Sequence, residues 1–95
     1  MNYLGQKIRE MREKRGLLLR QLAAYLEVDT ALMSKIETGD RKPTKLQTEK
    51  IAQFLEVDRE LFITLWLADR IETAIVEEPE VAYKAINLVK KNLKK

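Results

Sequence analysis

The chain has 95 residues, of which 45% are hydrophobic and 35% charged, with only 3 Gly and 2 Pro. That composition fits one compact domain with a short extension and excludes a linker-rich or disordered chain. Neither Cys nor His occurs, which removes disulfides, thiolate chemistry, His-dependent triads and the usual zinc sites, so no metal or cofactor is expected.

The absence of Cys fits a cytoplasmic protein. The longest apolar run is too short to span a bilayer, and Met1-Asn2-Tyr3-Leu4-Gly5 has no signal-peptide pattern. A chain of this size buries only about 60–65% of its unfolded surface, so a partner or second subunit has stability to add. The net charge of +3 hides an asymmetry. Residues 1–50 carry 11 basic against 7 acidic side chains, residues 51–80 carry 2 against 8, and residues 81–95 carry 5 Lys and no acid. Such a distribution suits an anion-binding half followed by a segment that avoids the anion, although three ordinary solvated surfaces would look the same.

Strand alternation is weak throughout, and apolar residues recur at helical spacing. The first predicted helix covers about residues 3–15, with Leu4, Ile8 and Met11 on one face, and stops at Lys14-Arg15-Gly16. A second, about 18–26, buries Leu19 or Leu22, with Ala23 and Leu26; a third, about 30–37, turns Met33 and Ile36 inward and ends before Gly39. After a polar loop, Thr44 opens a fourth helix with Gln47 at capping-box spacing, running to about Leu55. Ala23–Asp29 is echoed by Ala52–Asp58. Each copy ends a helix on an aromatic-Leu pair and supplies an Asp N-cap for the next, flanked by Val28 and Met33 or Val57 and Phe62 as staples.

A fifth helix follows Asp58. It is apolar on two faces: Leu61, Leu65 and Ala68 on one, Ile63, Leu67, Ile71 and Ala74 on the other. Glu77-Glu78 ends it, and Pro79 suits the first turn of a sixth helix. That helix carries the stripe Ala82, Ala85, Ile86, Val89 and Leu93, with Lys84, Lys91 and Lys94 facing away.

Two short helices joined by Glu27-Val28-Asp29 form a helix-turn-helix candidate. From Gly16-Leu17 through Leu22-Ala23, Val28-Asp29-Thr30 and Met33-Ser34-Lys35-Ile36-Glu37-Thr38-Gly39-Asp40-Arg41-Lys42-Pro43, the chain strongly resembles the phage repressor/Cro-like, or Xre-type, helix-turn-helix family. The resemblance covers about residues 4–62. It implies an all-α fold: a five-helix DNA-binding domain, taken as residues 1–58, with a C-terminal helical extension over 59–95. It further implies a recognition helix at Thr30–Glu37 that enters the major groove, with Thr30, Ala31, Ser34 and Lys35 facing outward. The three short side chains suit close approach to base edges, and Lys35 suits guanine or a phosphate. The plainer alternatives are that Thr30 is only an N-terminal helix residue and Lys35 touches only phosphate. Arg41, Lys42 and Lys45 would lie along the sugar–phosphate backbone, where they position without reading sequence. Arg12 and Glu37 match a structural ion pair of the family.

The chain departs from the family at Leu18-Leu19, where a capping Ser or Thr and a phosphate-gripping Gln are usual; this leaves Arg20 or Gln21 for that contact. It also has Glu27 in place of the usual Gly before the turn valine, and Thr48-Glu49 in place of helix-four leucines.

The leading expectation is a sequence-specific DNA-binding transcriptional regulator, a repressor or operon controller, acting on double-stranded DNA as a homodimer. The dimer would form through residues 59–95, with Ile63, Trp66, Leu67 and Ile71 at its centre and the acidic stretch held away from DNA. The sixth helix would fold back over Ile63, Leu67 and Ile71, or be exchanged between subunits across the Glu77–Pro79 turn. The alternative is an antitoxin-type protein-interaction module whose residues 59–95 bind a different protein. An enzyme is not expected, because Glu77 and Glu78 have no catalytic partner in the sequence.

Overall fold

The computed structural model describes residues 1–94, which form six helices and no strand: α1 (Tyr3–Lys14), α2 (Leu19–Leu26), α3 (Thr30–Thr38), α4 (Lys45–Leu55), α5 (Arg59–Ile75) and α6 (Ala82–Leu93). The helix starts follow from local capping chemistry. Asn2 Oδ1 accepts the Gly5 N–H at 3.0 Å, and Asp29 Oδ1 accepts the Leu32 N–H at 2.7 Å. Thr44 and Gln47 form a reciprocal box at 3.0 and 2.9 Å. Each such cap is worth about 1 kcal/mol. Asp58 caps more weakly, reaching the Glu60 N–H at 3.4 Å.

Both copies of the internal repeat end in the same C-cap. Glu27 and Glu56 sit in the left-handed region at φ 60° and 55°. The next residue's N–H bonds back to Ala23 and Ala52 at 3.0 and 2.9 Å, the six-residue closure of a Schellman turn.

The core gathers one to three residues from every helix up to α5, the large ones being Leu4 and Ile8, Leu22 and Leu26, Met33 and Ile36, Ile51 and Leu55, and Phe62. Full burial of each such side chain contributes roughly 1.5–3 kcal/mol. Thr48 occupies a fully buried position among them. Its hydroxyl donates to the Thr44 carbonyl at 2.9 Å, so the polar group is buried without being orphaned.

The buried face of α5 coincides with neither expected face in full, although Leu65 of the first packs against the core and Ala68 is half-buried. It runs through Phe62, Trp66 and Asp69, with Phe62 and Asp69 buried and Trp66 half-buried, while Leu61 is exposed. Phe62 is buried in the core cluster, against which Val57 also packs, so α5 begins as part of the same body as α1–α4.

α6 starts at Ala82, three residues beyond Pro79, because residues 78–82 form turns (Val81 N–H to Glu78 O, Ala82 N–H to Pro79 O) before the helix propagates. It does not cover the apolar face of α5 expected to lie beneath it. Leu67 and Ile71 remain 46% and 53% exposed, and Ala82 is the only buried residue of α6. Between the end of α5 and the facing side of α6 lies an open apolar groove lined by Ile71, Ile75, Ala85, Ile86, Val89 and Leu93. No helix among the described residues is long and apolar enough to cross a membrane.

Candidate nucleic-acid interface

The pair α2–α3 is joined by Glu27-Val28-Asp29. Val28 is half-buried and Met33 buried, on either side of the Asp29 cap, which fixes how α3 leaves the turn. Met33, Ile36 and Glu37 are the buried residues of α3. Thr30, Ala31, Ser34 and Lys35 are exposed and Leu32 half-buried, so one face of α3 is held by the core and the other is open.

Three contacts hold the far end of α3. Arg12 meets Glu37 as a fork, Nε to Oε2 at 2.7 Å and a terminal nitrogen to Oε1 at 3.1 Å, and also donates to the Leu17 carbonyl at 2.8 Å. The Glu37 hydrogen bond raises the Arg12 pKa above its usual value. With side chains 12% and 6% exposed, this is a near-buried pair, in which loss of one partner costs about 3–5 kcal/mol by stranding the other charge. Asn2 Nδ2 donates to the Glu37 carbonyl at 2.8 Å, tying the start of α1 to the end of α3. Gly39, at φ 89°, ends α3 close to Asn2: a Cβ there would lie 2.8 Å from the Asn2 side chain. The Arg41 N–H then returns to the Lys35 carbonyl at 3.2 Å, which folds the following loop against the helix.

Of the sites expected to meet DNA, Arg20 and Gln21 lie exposed in the first turn of α2. Arg41, Lys42 and Lys45 lie exposed in the loop and at the start of α4. Gln21 has a second task, since its Oε1 accepts the Leu18 N–H at 2.7 Å. This replaces the missing side-chain cap and leaves the amide NH₂ as a donor. Lys7, Arg9, Arg12, Arg15 and Arg59 form ion pairs, whereas Arg20, Lys35, Arg41, Lys42 and Lys45 form none among the described residues. Lys14 and Lys50 are likewise unpaired, so freedom from partners does not single out the interface without the positions.

Trp66, expected at a subunit interface, is committed within the chain. Its indole N–H donates to the Pro43 carbonyl at 2.9 Å, its ring packs on the core, and the Arg70 guanidinium lies 4.8 Å from its centroid. Ile63 is half-buried, leaving Leu67 and Ile71 as the exposed members of the expected set. Sequence reasoning missed Asn2, Gly5 and Asp69, which hold α1 against α3 and α5. Asn before a helix is a readable cap signal, but nothing local marks Asp69 as inward-facing.

Two helices set at a stapled turn, the second with a solvent-facing side flanked by unpaired cations, define a helix-turn-helix protein. Comparison with known proteins gives the same class: the helix-turn-helix domain family matches residues 3–63, well over half the chain, and the chain belongs to that family, a DNA-binding and non-catalytic one. It is similar to RghRB of Bacillus subtilis (strain 168), described as an uncharacterized HTH-type transcriptional regulator, with 44% identity over 50 residues, 53% of this chain and 36% of that protein. The chain therefore corresponds to about a third of the length of this relative. No solved structure matches it significantly.

Proposed function

We propose that the chain is a sequence-specific transcriptional regulator, of repressor or operon-controller type, that inserts α3 into the major groove of duplex DNA. The observation that carries this is the open face of α3: Thr30, Ala31, Ser34 and Lys35 are exposed on a helix whose opposite face and far end are locked by Met33, Ile36 and the Arg12–Glu37 pair. Thr30, Ala31 and Ser34 are short enough for close approach to base edges, and Lys35 reaches guanine or phosphate. Arg20, Gln21, Arg41, Lys42 and Lys45 supply backbone contacts that set register. Such a regulator works where the chromosome is, in a bacterial cell the cytoplasm. The test is a Lys35→Ala/Arg41→Ala double variant on a duplex selected from random sequence. Affinity should fall and the salt slope become shallower with helix content intact; unchanged affinity and slope would refute the assignment.

The regulator acts as a homodimer through its C-terminal helices, since one helix-turn-helix reads only a few base pairs. Supporting this, Leu67, Ile71, Leu88, Val89 and Leu93 are all more than 45% exposed on α5 and α6, an apolar surface larger than isolated exposed residues account for. The same segment is self-complementary in charge, with Glu77, Glu78 and Glu80 at the turn and Lys84, Lys90 and Lys94 along α6. The division at residue 58 is then one of labour, with α5 serving both the core and the dimer. A different protein partner would use the same surface. Sedimentation at micromolar concentration decides: a monomer with and without DNA excludes the dimer.

A further inference from the structure

We infer that Arg70 of α5, acting with Lys42, is a phosphate clamp that adds a DNA-backbone contact from outside the helix-turn-helix unit. This rests on the DNA-binding reading above and adds to it a contact from the segment whose acidity argues against any. Arg70 is one of only two basic residues in the stretch 51–80, yet it does not neutralise the acids around it. Asp69 is occupied by the N–H groups of Tyr3 and Leu4, and Glu72 by the Met1 amine and the Tyr3 hydroxyl. Arg70 forms no ion pair among the described residues. Instead its guanidinium lies over Trp66, 4.8 Å from the ring centroid. Stacking restricts a long side chain in advance while leaving the N–H edge of the guanidinium free, and that planar fork matches two phosphate oxygens.

Trp66 also fixes where this fork stands. Its N–H bond to the Pro43 carbonyl, with Pro43 buried, pins the loop that follows α3 to the side of α5. Lys42, Arg70 and Thr73 consequently line one open concavity of about 310 Å³. Neither Lys42 nor Arg70 makes a contact ion pair among the described residues, although the Lys42 charge is felt at Glu72; two cations lining one concavity repel each other, and an anion between them reverses that term. Lys42 directly follows Arg41 in the loop after the proposed recognition helix, so the concavity opens next to the segment proposed to run along the DNA backbone.

The test measures the salt dependence of binding of the full chain to a random-sequence duplex, comparing wild type with Arg70→Gln, Arg70→Lys and Lys91→Gln. Arg70 and Lys91 are both exposed, so the folded state is retained and the charge change is matched. Arg70→Gln should make the slope of log affinity against log salt shallower by about one unit. Arg70→Lys should keep most of the slope, and Lys91→Gln should leave it at the wild-type value. A wild-type slope in Arg70→Gln, or an equal change in Lys91→Gln, overturns the clamp while leaving the DNA-binding reading standing. A wild-type chain that binds no duplex overturns both. Arg70-dependent binding of millimolar inorganic phosphate that leaves duplex affinity unchanged at constant ionic strength would mean that the concavity takes free phosphate, and would overturn the assignment to the DNA backbone.

Discussion

Asp69, near the middle of α5, accepts the backbone N–H of Leu4 on Oδ2 at 3.1 Å, and its Oδ1 accepts that of Tyr3 at 2.9 Å. It therefore caps the start of α1 across a separation of 65 residues. The side chain is 4% exposed, and the bonds it makes are to the orphan donors that a helix start leaves. Because α1 also holds α3 through Arg12 and Asn2, this carboxylate joins the C-terminal helix to the mount of the proposed recognition helix.

Replacing Asp69 should therefore cost more than an exposed cap. Asp69→Ala strands two N–H groups and is expected to destabilise the chain by about 2–4 kcal/mol, given roughly 1–3 kcal/mol for each unsatisfied buried group and partial rehydration at the helix end. Asp69→Asn retains one acceptor and should lose about half as much. Urea unfolding followed by circular dichroism checks the order; equal stability of all three proteins would show that the cap carries no weight.

Gly5 is required by close approach. A Cβ on it would lie 2.5 Å from the Asn2 side chain and 2.6 Å from the Glu37 carbonyl oxygen, a backbone atom that cannot swing aside. Gly5→Ala gains helix propensity of about 1 kcal/mol in an isolated helix. In this chain the overpacking should prevail, for a net destabilisation of about 1–3 kcal/mol. A thermal melt with Tm above wild type would contradict the packing argument.

Glu27 shows the opposite sign. Its φ of 60° costs an L-residue roughly 1–2 kcal/mol, whereas Gly adopts it freely but loses about 0.4–1 kcal/mol of unfolded-state advantage. Glu27→Gly is thus expected to stabilise the chain by about 0.5–1 kcal/mol, seen as a higher urea midpoint with an unchanged m-value. A lower midpoint would mean that the Glu27 side chain contributes something beyond its backbone strain.

The pair Tyr3–Glu72 sets both ends of a pH window. The Met1 amine, then the Tyr3 hydroxyl, lower the Glu72 pKa from 4.5. Stability from this group is present above that value and is lost as pH falls through the depressed folded pKa. The Tyr3 pKa is raised from 10.0, chiefly by its hydrogen bond to Glu72. Its contribution is present below 10.0 and is lost as pH rises through the elevated folded value. Glu72→Gln should flatten the stability profile at both edges. A profile identical to wild type below pH 4.5 and above pH 10.0 would remove the pair from the account.

Much of this architecture was legible because it is written in short-range chemistry. Thr44 with Gln47, Asp29 before its helix, Gly39 after α3 and the 3.6-residue apolar period act within a turn or two, so the helix order and the outward set Thr30, Ala31, Ser34 and Lys35 follow from neighbours in the chain. Long-range satisfaction of polar groups followed no such rule. Asp69 faces inward because helix α1 has unpaired N–H groups there. Thr48 is tolerated in the core because its hydroxyl finds the Thr44 carbonyl, and Trp66 turns toward Pro43 because its N–H finds a carbonyl on another element. Hydropathy scores these residues without knowing which partner arrives in three dimensions. The inward face of α5, the apolar surface left open beside α6 and the placing of Arg70 next to Lys42 therefore emerge only when the helices are assembled.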